Sequence, residues 1–168
     1  PRTDEARALA DAVTSPRWLD RITARGRAFA DRLVAHVRRA CDPRPGDTLM
    51  LVDLGYNGTV QNRIDALLAE AFGVHVAGRY LLLSEDEPRG LDKRGFIGPD
   101  TLDPDAREAI ASSVAVLEQF CTVVQGSVVD YAADGTPIRA ASGIKGRQSE
   151  VREAVQAGCI RYAREAAA

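Results

Sequence analysis

Residues 48–61 read TLMLVDLGYNGTVQ, an apolar run that ends in an acid and is followed by two glycines. An unbroken apolar run of this kind is typical of a central parallel strand that is buried on both faces. We therefore predict a strand at 48–53. Residues 59–72 have apolar side chains at helical spacing, and residues 74–83 have the composition of a second buried strand. Strand, helix and strand in this order predict a right-handed βαβ unit, and hence an α/β fold with a parallel core.

The N-terminal segment 1–41 is predicted to be helical. Residues 4–13 form a short Ala-rich stretch, and Ser15-Pro16 supplies an N-cap and a first-turn proline for a longer helix. Gly26 weakens the middle of that helix. We expect this segment to pack on the core of a single α/β domain over 1–168. The lack of an initiator Met is compatible with a piece of a larger multidomain protein.

The C-terminal half is predicted to hold helices and a hairpin. Residues 84–103 are rich in glycine, proline and charge and predict an exposed loop, after which Asp103-Pro104 begins a helix. The β-rich stretch after Cys121 and the turn residues 133–136 predict a β-hairpin near 121–140. A last helix begins at about Ser149.

Composition excludes several classes of function. Twenty-two basic residues balance 24 acidic ones, so the net charge of −2 gives no field that would attract nucleic acid. No apolar run is long enough for a membrane span. Three scattered cysteines with no paired spacing, Cys41, Cys121 and Cys159, predict reduced thiols in a cytoplasmic protein and no metal site.

The junction between the first strand and its helix is the candidate binding site. Two glycines let the backbone turn sharply, Asn57 or Thr59 can cap the helix, and the first helical amides point outwards. Such a terminus suits a phosphate or a carboxylate. A plain strand-to-helix turn also needs glycine and a cap, so that alternative stays open. The candidate ligand-binding residues here are Gly55, Tyr56, Asn57, Gly58, Thr59 and Gln61, with Asp53 at the strand tip as a candidate catalytic acid.

A second constellation follows the next helix. Glu118 lies between Leu117 and Phe120, so we predict a partly buried carboxylate suited to general acid work, and Ser127 opens a β segment a few residues later. Both are predicted to approach Asp53, although a surface glutamate and a Gly-Ser turn would look the same.

Three arginines and three aromatic residues extend the candidate site. Arg79 is a candidate phosphate ligand, and with Arg63 and Arg94 it could hold a phosphate by paired hydrogen bonds. The aromatic residues predicted to lie on loops or strands, where a sugar could stack, are Tyr56, Phe96 and Tyr131.

The segment VDLGYNGTVQ at 52–61 resembles the "DIGWxGTxQ" segment in the C-terminal part of large bacterial proteins, which are described as predicted haloacid-dehalogenase-superfamily hydrolases. Such proteins are often encoded near surface-polysaccharide genes. Tyr56 stands where that segment has Trp, and shorter blocks at 118–120, 125–131 and 155–160 follow in the family's order. The resemblance implies a polysaccharide-related protein with a partner hydrolase or glycosyltransferase domain. The catalytic DxD motif of that superfamily lies in an N-terminal domain, and residues 51–54 of this chain hold one acid where the motif needs two.

Residues 44–84 are also similar in shape to the core βαβ of type I phosphoribosyltransferases. That resemblance implies that Asp53 and Thr59 bind a ribose phosphate, with Mg²⁺ as the cofactor. It departs from the family at Leu54, which follows Asp53 where the family has a second acid.

Three functions therefore stand as expectations. The favoured one is an α/β domain that binds a phosphorylated sugar or sugar nucleotide on 55–59. The alternatives are a phosphoribosyltransferase-like enzyme and a non-catalytic interaction scaffold.

Overall fold

The computed structural model describes residues 2–84, 90–98, 100–143 and 147–167, without the side chains of Arg2, Thr3, Tyr56, Arg147 and Gln148. Two compact units make up the chain. The helical unit comprises Pro1–Asp42 and Val128–Ile138, and the sheet unit comprises Pro43–Ser127 and Arg139–Ala168. No described helix combines the length and the apolar character that crossing a membrane requires.

Eleven helices and strands are described. The helices are α1 (Arg2–Val13), α2 (Pro16–Cys41), α3 (Thr59–Phe72), α4 (Pro104–Ser112), α5 (Val114–Cys121) and α6 (Arg147–Ala166). The strands are β1 (Thr48–Tyr56), β2 (His75–Leu83), β3 (Asp92–Ile97), β4 (Val128–Tyr131) and β5 (Pro137–Arg139).

The centre of the sheet unit is a three-stranded parallel sheet in the order β1-β2-β3. Thr48 pairs with His75 at one end of the β1–β2 ladder, and Gly55 pairs with Leu82 near the other. Helix α3 connects these two strands and packs against β2. The predicted βαβ unit, the α/β class and the N-terminal and C-terminal helices are confirmed.

Strand β3 corrects the predicted loop at 84–103. Residues 92–97 form a parallel strand on the free side of β2, with Ala77 paired to Asp92 and Leu82 paired to Ile97. The sequence DKRGFI carries three charges and a glycine, so it lacks the apolar pattern that predicts a buried strand. Backbone pairing with β2 therefore holds these residues in a strand that their own sequence does not favour. Residues 85–89 of the predicted loop lie outside the described residues.

Strand β1 differs from its prediction in two ways. It continues to Tyr56, so Asp53 lies inside the strand and not at its tip. Within the described part of the chain it is also an edge strand, and it is not buried on both faces, since the side chain of Val52 is 79% exposed. The connection to α3 is consequently reduced to Asn57 and Gly58.

The two faces of the sheet differ. The covered face is turned towards α3, where apolar residues at helical spacing pack on β2; the buried side chains include Leu68, Phe72, Val76, Tyr80 and Leu82. The open face carries Val52, Arg79, Leu81, Arg94 and Phe96, which together line a shallow hollow of about 460 Å³.

Helices α4, α5 and α6 form the rest of the sheet unit, and α5 packs against both of the others. The predicted start at Asp103 is confirmed, because its carboxylate accepts a hydrogen bond from the Ala106 amide at 2.9 Å. Ser113 divides the predicted single helix in two. Gln156 of α6 donates to the carbonyls of Phe120 and Thr122 at 2.6 and 2.9 Å and so fixes the end of α5.

In the helical unit, α2 is continuous through Gly26. The hairpin formed by β4 and β5 begins only at 128, because α5 extends to Cys121 and residues 122–127 form no strand. Its turn is pressed against α2, where His36 Nδ1 lies 2.9 Å from the carbonyl oxygen of Gly135. The Arg32 guanidinium hydrogen-bonds Asp130 at 2.8 Å and lowers the pKa of that carboxyl group.

Candidate functional site

The turn between β1 and α3 is built around two glycines that no other residue could replace without strain. Gly55 has a φ of +117°, and a Cβ there would overlap the carbonyl oxygen of Leu82. Gly58 has a φ of +57°, and a Cβ there would lie 2.9 Å from the Tyr80 hydroxyl oxygen. Both glycines therefore allow the backbone conformation of the turn and also let the turn pack closely against β2.

The N-terminus of α3 has no side-chain cap. Gly58 is the N-cap residue, and the predicted capping by Asn57 or Thr59 is wrong. Asn57 and Thr59 are both exposed. Because the first amides of a helix have no acceptor within it, this end of the 14-residue α3 presents donors and the positive end of the helix dipole.

A buried ammonium group lies beside the same turn. Lys93 is only 6% exposed, and its Nζ donates to Asn62 Oδ1 at 2.5 Å and to the Asn57 carbonyl oxygen at 3.5 Å. The sequence analysis missed this residue because it placed 84–103 in an exposed loop. Nothing in the sequence around a lysine in an apparent loop indicates that it is buried. The burial of Lys93 results from the pairing of β3 with β2.

Gln61 belongs to a hydrogen-bond network on the covered face. Its side chain is 1% exposed, and its Oε1 accepts from the Tyr80 hydroxyl at 2.8 Å. Its Nε2 donates to Asp65 Oδ2 at 3.0 Å and to the Asp92 carbonyl oxygen at 3.3 Å. These bonds join α3 to β2 and β3, so Gln61 positions the helix whose N-terminus forms the turn.

Asp53 lies in a groove between β1 and α3, here called the edge groove. The groove has a volume of about 340 Å³ and is lined by residues that include Leu51, Asp53, Val60, Gln61, Ile64 and Tyr80. Asp53 is exposed, and its Oδ1 accepts a hydrogen bond from the Gly55 amide at 3.2 Å. The structure thus brings Asp53 and Gln61 to one groove beside the turn.

Arg79 lies on the open face, where it pairs with Asp92. Its Nη1 donates to Asp92 Oδ1 at 3.0 Å, and His75 Nε2 lies 3.0 Å from the other carboxylate oxygen. The hydrogen bond from Arg79, followed by that from His75, lowers the pKa of Asp92 from 3.8 to about 2. Arg94 and Phe96 line the same hollow as Arg79, and Arg63 is exposed on α3.

Glu118 lies on α5 and Ser127 directly before β4, both in the sheet unit. Glu118 is exposed, so its predicted partial burial is wrong; α5, which carries it, packs on α4 and α6. Ser127 is also exposed, and its carbonyl oxygen accepts from the Ala140 amide at 2.9 Å. The approach of either residue to Asp53 stays a prediction.

The aromatic residues have separate surroundings. Phe96 is exposed on the open face. Tyr131 packs in the helical unit, with its ring centroid 4.6 Å from that of His36 and 5.9 Å from that of Phe29. The side chain of Tyr56 lies outside the described atoms, so its role stays a prediction.

The fold and the turn define the class of this chain as an α/β domain with a parallel sheet. The chain matches no family model, and no curated protein matches it either.

Proposed function

We propose that the turn formed by Gly55–Thr59 binds the phosphate of a phosphorylated sugar or sugar nucleotide. The observation that carries the proposal is the uncapped N-terminus of α3, which is joined to a parallel strand by only Asn57 and Gly58. Helix N-termini in this position bind anions because their free amides and the helix dipole act on the same point.

Lys93 is a basic residue beside the turn. Its ammonium group contacts the Asn57 carbonyl, one residue before the N-cap of α3. A positively charged group beside a helix N-terminus adds to the attraction that the terminus has for an anion.

Asp53 supplies a polar group for the rest of the ligand. It faces the edge groove, whose walls are mostly apolar, and a carboxylate there can accept hydrogen bonds from sugar hydroxyls. Gln61 acts through its network and not as a free ligand group, because its amide oxygen and nitrogen already have protein partners.

The choice of a sugar as the ligand is based on the resemblance to the "DIGWxGTxQ" region, which also suggests a partner hydrolase or glycosyltransferase domain. The three scattered cysteines suggest a cytoplasmic location. We propose binding and no reaction for this chain by itself. Gly55 stands two residues after Asp53, where a haloacid-dehalogenase centre needs a second acid, and Glu118 is exposed on α5, which packs on α4 and α6.

The test is a titration of the amide NMR spectrum with inorganic phosphate, then with a nucleoside diphosphate hexose. We expect the largest shifts at Gly58, Thr59 and Val60. Thr59→Asp should abolish binding, because its carboxylate occupies the anion position, while adding about 0.3–1 kcal/mol of helix-dipole stabilisation. Thr59→Asn is the matched control, with the same shape and no charge, and should retain binding.

Two outcomes would contradict the proposal. One is an unchanged spectrum at the turn with both probes, and the other is equal binding by the Thr59→Asp and Thr59→Asn variants. Thermal melts of both variants establish that a loss of binding does not come from unfolding.

Phosphoribosyl pyrophosphate with and without Mg²⁺ is the third probe. A magnesium-dependent shift at Asp53 and Thr59 would favour the phosphoribosyltransferase alternative.

The interaction scaffold is a second candidate, favoured by the open face. Val52 and Phe96 are each 79% exposed there, although large apolar side chains are usually buried. A protein that binds none of the three probes at the turn would support this function.

A further inference from the structure

The two edges of the parallel sheet are protected to different degrees. Among the described residues, β1 and β3 each pair only with β2, so each presents one free edge. The β3 edge begins with the charged residues Asp92, Lys93 and Arg94, and charge is a usual means of blocking association of free edges. The β1 edge carries Leu49, Met50, Leu51 and Val52 in succession, with neither charge nor proline.

An apolar free edge is a template for another strand, since its unpaired N–H and C=O groups alternate along it. The surface beside β1 is also apolar. Val60 of α3 is 57% exposed, and with Leu51 and Ile64 it lines the edge groove. A strand added to β1 would satisfy the backbone groups and bury these side chains in one step.

We propose that the β1 edge pairs with the β1 edge of a second copy of this chain. Two identical edges related by a twofold axis perpendicular to the sheet run antiparallel, and their donors and acceptors are then mutually complementary. The product is one continuous sheet of six strands, built from the two three-stranded sheets.

The charges of the strand are compatible with this pairing. Asp53 is the single charged residue of β1. With the twofold axis at Leu51, Asp53 lies opposite Leu49 of the second copy, so no two like charges face each other across the junction. The symmetry places both α3 helices on the same face, so that each copy presents Val60 and Ile64 over the junction. The dimer covers the edge groove in which Asp53 would meet a sugar, so its test is made without ligand and is read from the association state alone.

The test is sedimentation equilibrium of the whole chain from micromolar to near-millimolar concentration. We expect a reversible dimer. Val60→Lys should raise the dissociation constant of the dimer by about tenfold or more, because the substitution puts like charges and a desolvated ammonium group at the junction. Val116→Lys is the matched control, since Val116 is 54% exposed on α5, which packs on α4 and α6, and it should leave the dimer unchanged.

Amide hydrogen exchange of the wild-type chain keeps the proposal testable if the Val60→Lys variant fails to fold. Exchange across Leu49–Asp53 should slow as the concentration rises, while exchange across β3 should not. A monomer at every concentration, equal weakening by the two lysine variants, or protection confined to β3 would each overturn the proposal.

Discussion

The covered and open faces of the same three-stranded sheet are stabilised by opposite means. On the covered face, the side chains of Gln61 and Tyr80 are buried and hydrogen-bonded to one another, with Gly78 in contact beneath them. On the open face, Arg79 and Asp92 form an ion pair in a partly exposed setting. Substitutions on the covered face should therefore lower the free energy of unfolding more than substitutions on the open face. A buried polar group that loses its partner has no water to replace it.

The largest effect is expected at Gly78. An alanine Cβ there would overlap Gln61 Oε1 and lie 2.6 Å from Tyr80 Cε2, so Gly78→Ala must break the hydrogen bond between them or move the helix. We expect a loss of about 3 kcal/mol in the free energy of unfolding. Urea denaturation followed by far-UV circular dichroism measures this loss. Tryptophan fluorescence is unsuitable, because Trp18, the one tryptophan, lies in the helical unit and not in the sheet unit.

Gly158→Ala is the matched control in the same unit. Gly158 is exposed in α6 with open space around its Cβ position, so the alanine should raise stability by about 0.5–1 kcal/mol. Equal effects of the two substitutions would contradict the close packing of the covered face.

A smaller loss is expected from Tyr80→Phe. The substitution removes the hydroxyl that donates to Gln61 Oε1 and leaves that oxygen buried without its donor. We expect the free energy of unfolding to fall by about 1.5 kcal/mol. Tyr162→Phe, at an exposed position on α6, should change it by less than about 0.5 kcal/mol. A Tyr80→Phe variant as stable as wild type would mean that water reaches this network.

The smallest effect is expected on the open face. Because the pKa of Asp92 is lowered in the folded state, its contribution to stability is complete above 3.8 and is lost as the pH falls towards about 2. Because the ion pair with Arg79 is partly exposed and water screens it, Asp92→Asn should cost less than about 1 kcal/mol at neutral pH. The difference from wild type should shrink over that acidic range.

Glu108→Gln, on the exposed surface of α4, provides the control for the acid titration. Chemical denaturation at a series of pH values gives the measurement. A difference between Asp92→Asn and wild type that stays constant down to pH 2 would show that Asp92 is not the group that loses stability.

Local patterns were sufficient to predict the β1–α3–β2 core. The apolar run at 48–53, the glycines at 55 and 58 and the helical spacing of 59–72 all describe short-range preferences that the fold retains. The capping by Asn57 or Thr59 failed because Gly58, in a left-handed conformation, takes the N-cap position itself. The same local reasoning could not find β3, whose charged residues resemble a loop until they pair with β2.

The residues of the candidate site also divide into those that the local sequence predicted and those that it did not. Asp53, Gly55, Gly58 and Gln61 were identified from their positions in the motif, and the structure groups Asp53 and Gln61 at one groove. Lys93 was missed, since it reaches the turn from a strand 36 residues away along the chain from Asn57. The predicted burial of Glu118 failed because its flanking apolar residues do not determine which side of α5 faces its neighbours.

By itself the sequence determined the class of fold, the strand–turn–helix unit and the glycines on which the turn depends, because backbone conformation and apolar periodicity are local properties. Only the tertiary structure decided that β1 is an edge strand, that β3 completes the sheet and that Lys93 lies beside the turn. These features depend on pairing between residues distant in sequence, and the free energy of that pairing is not encoded in any one segment.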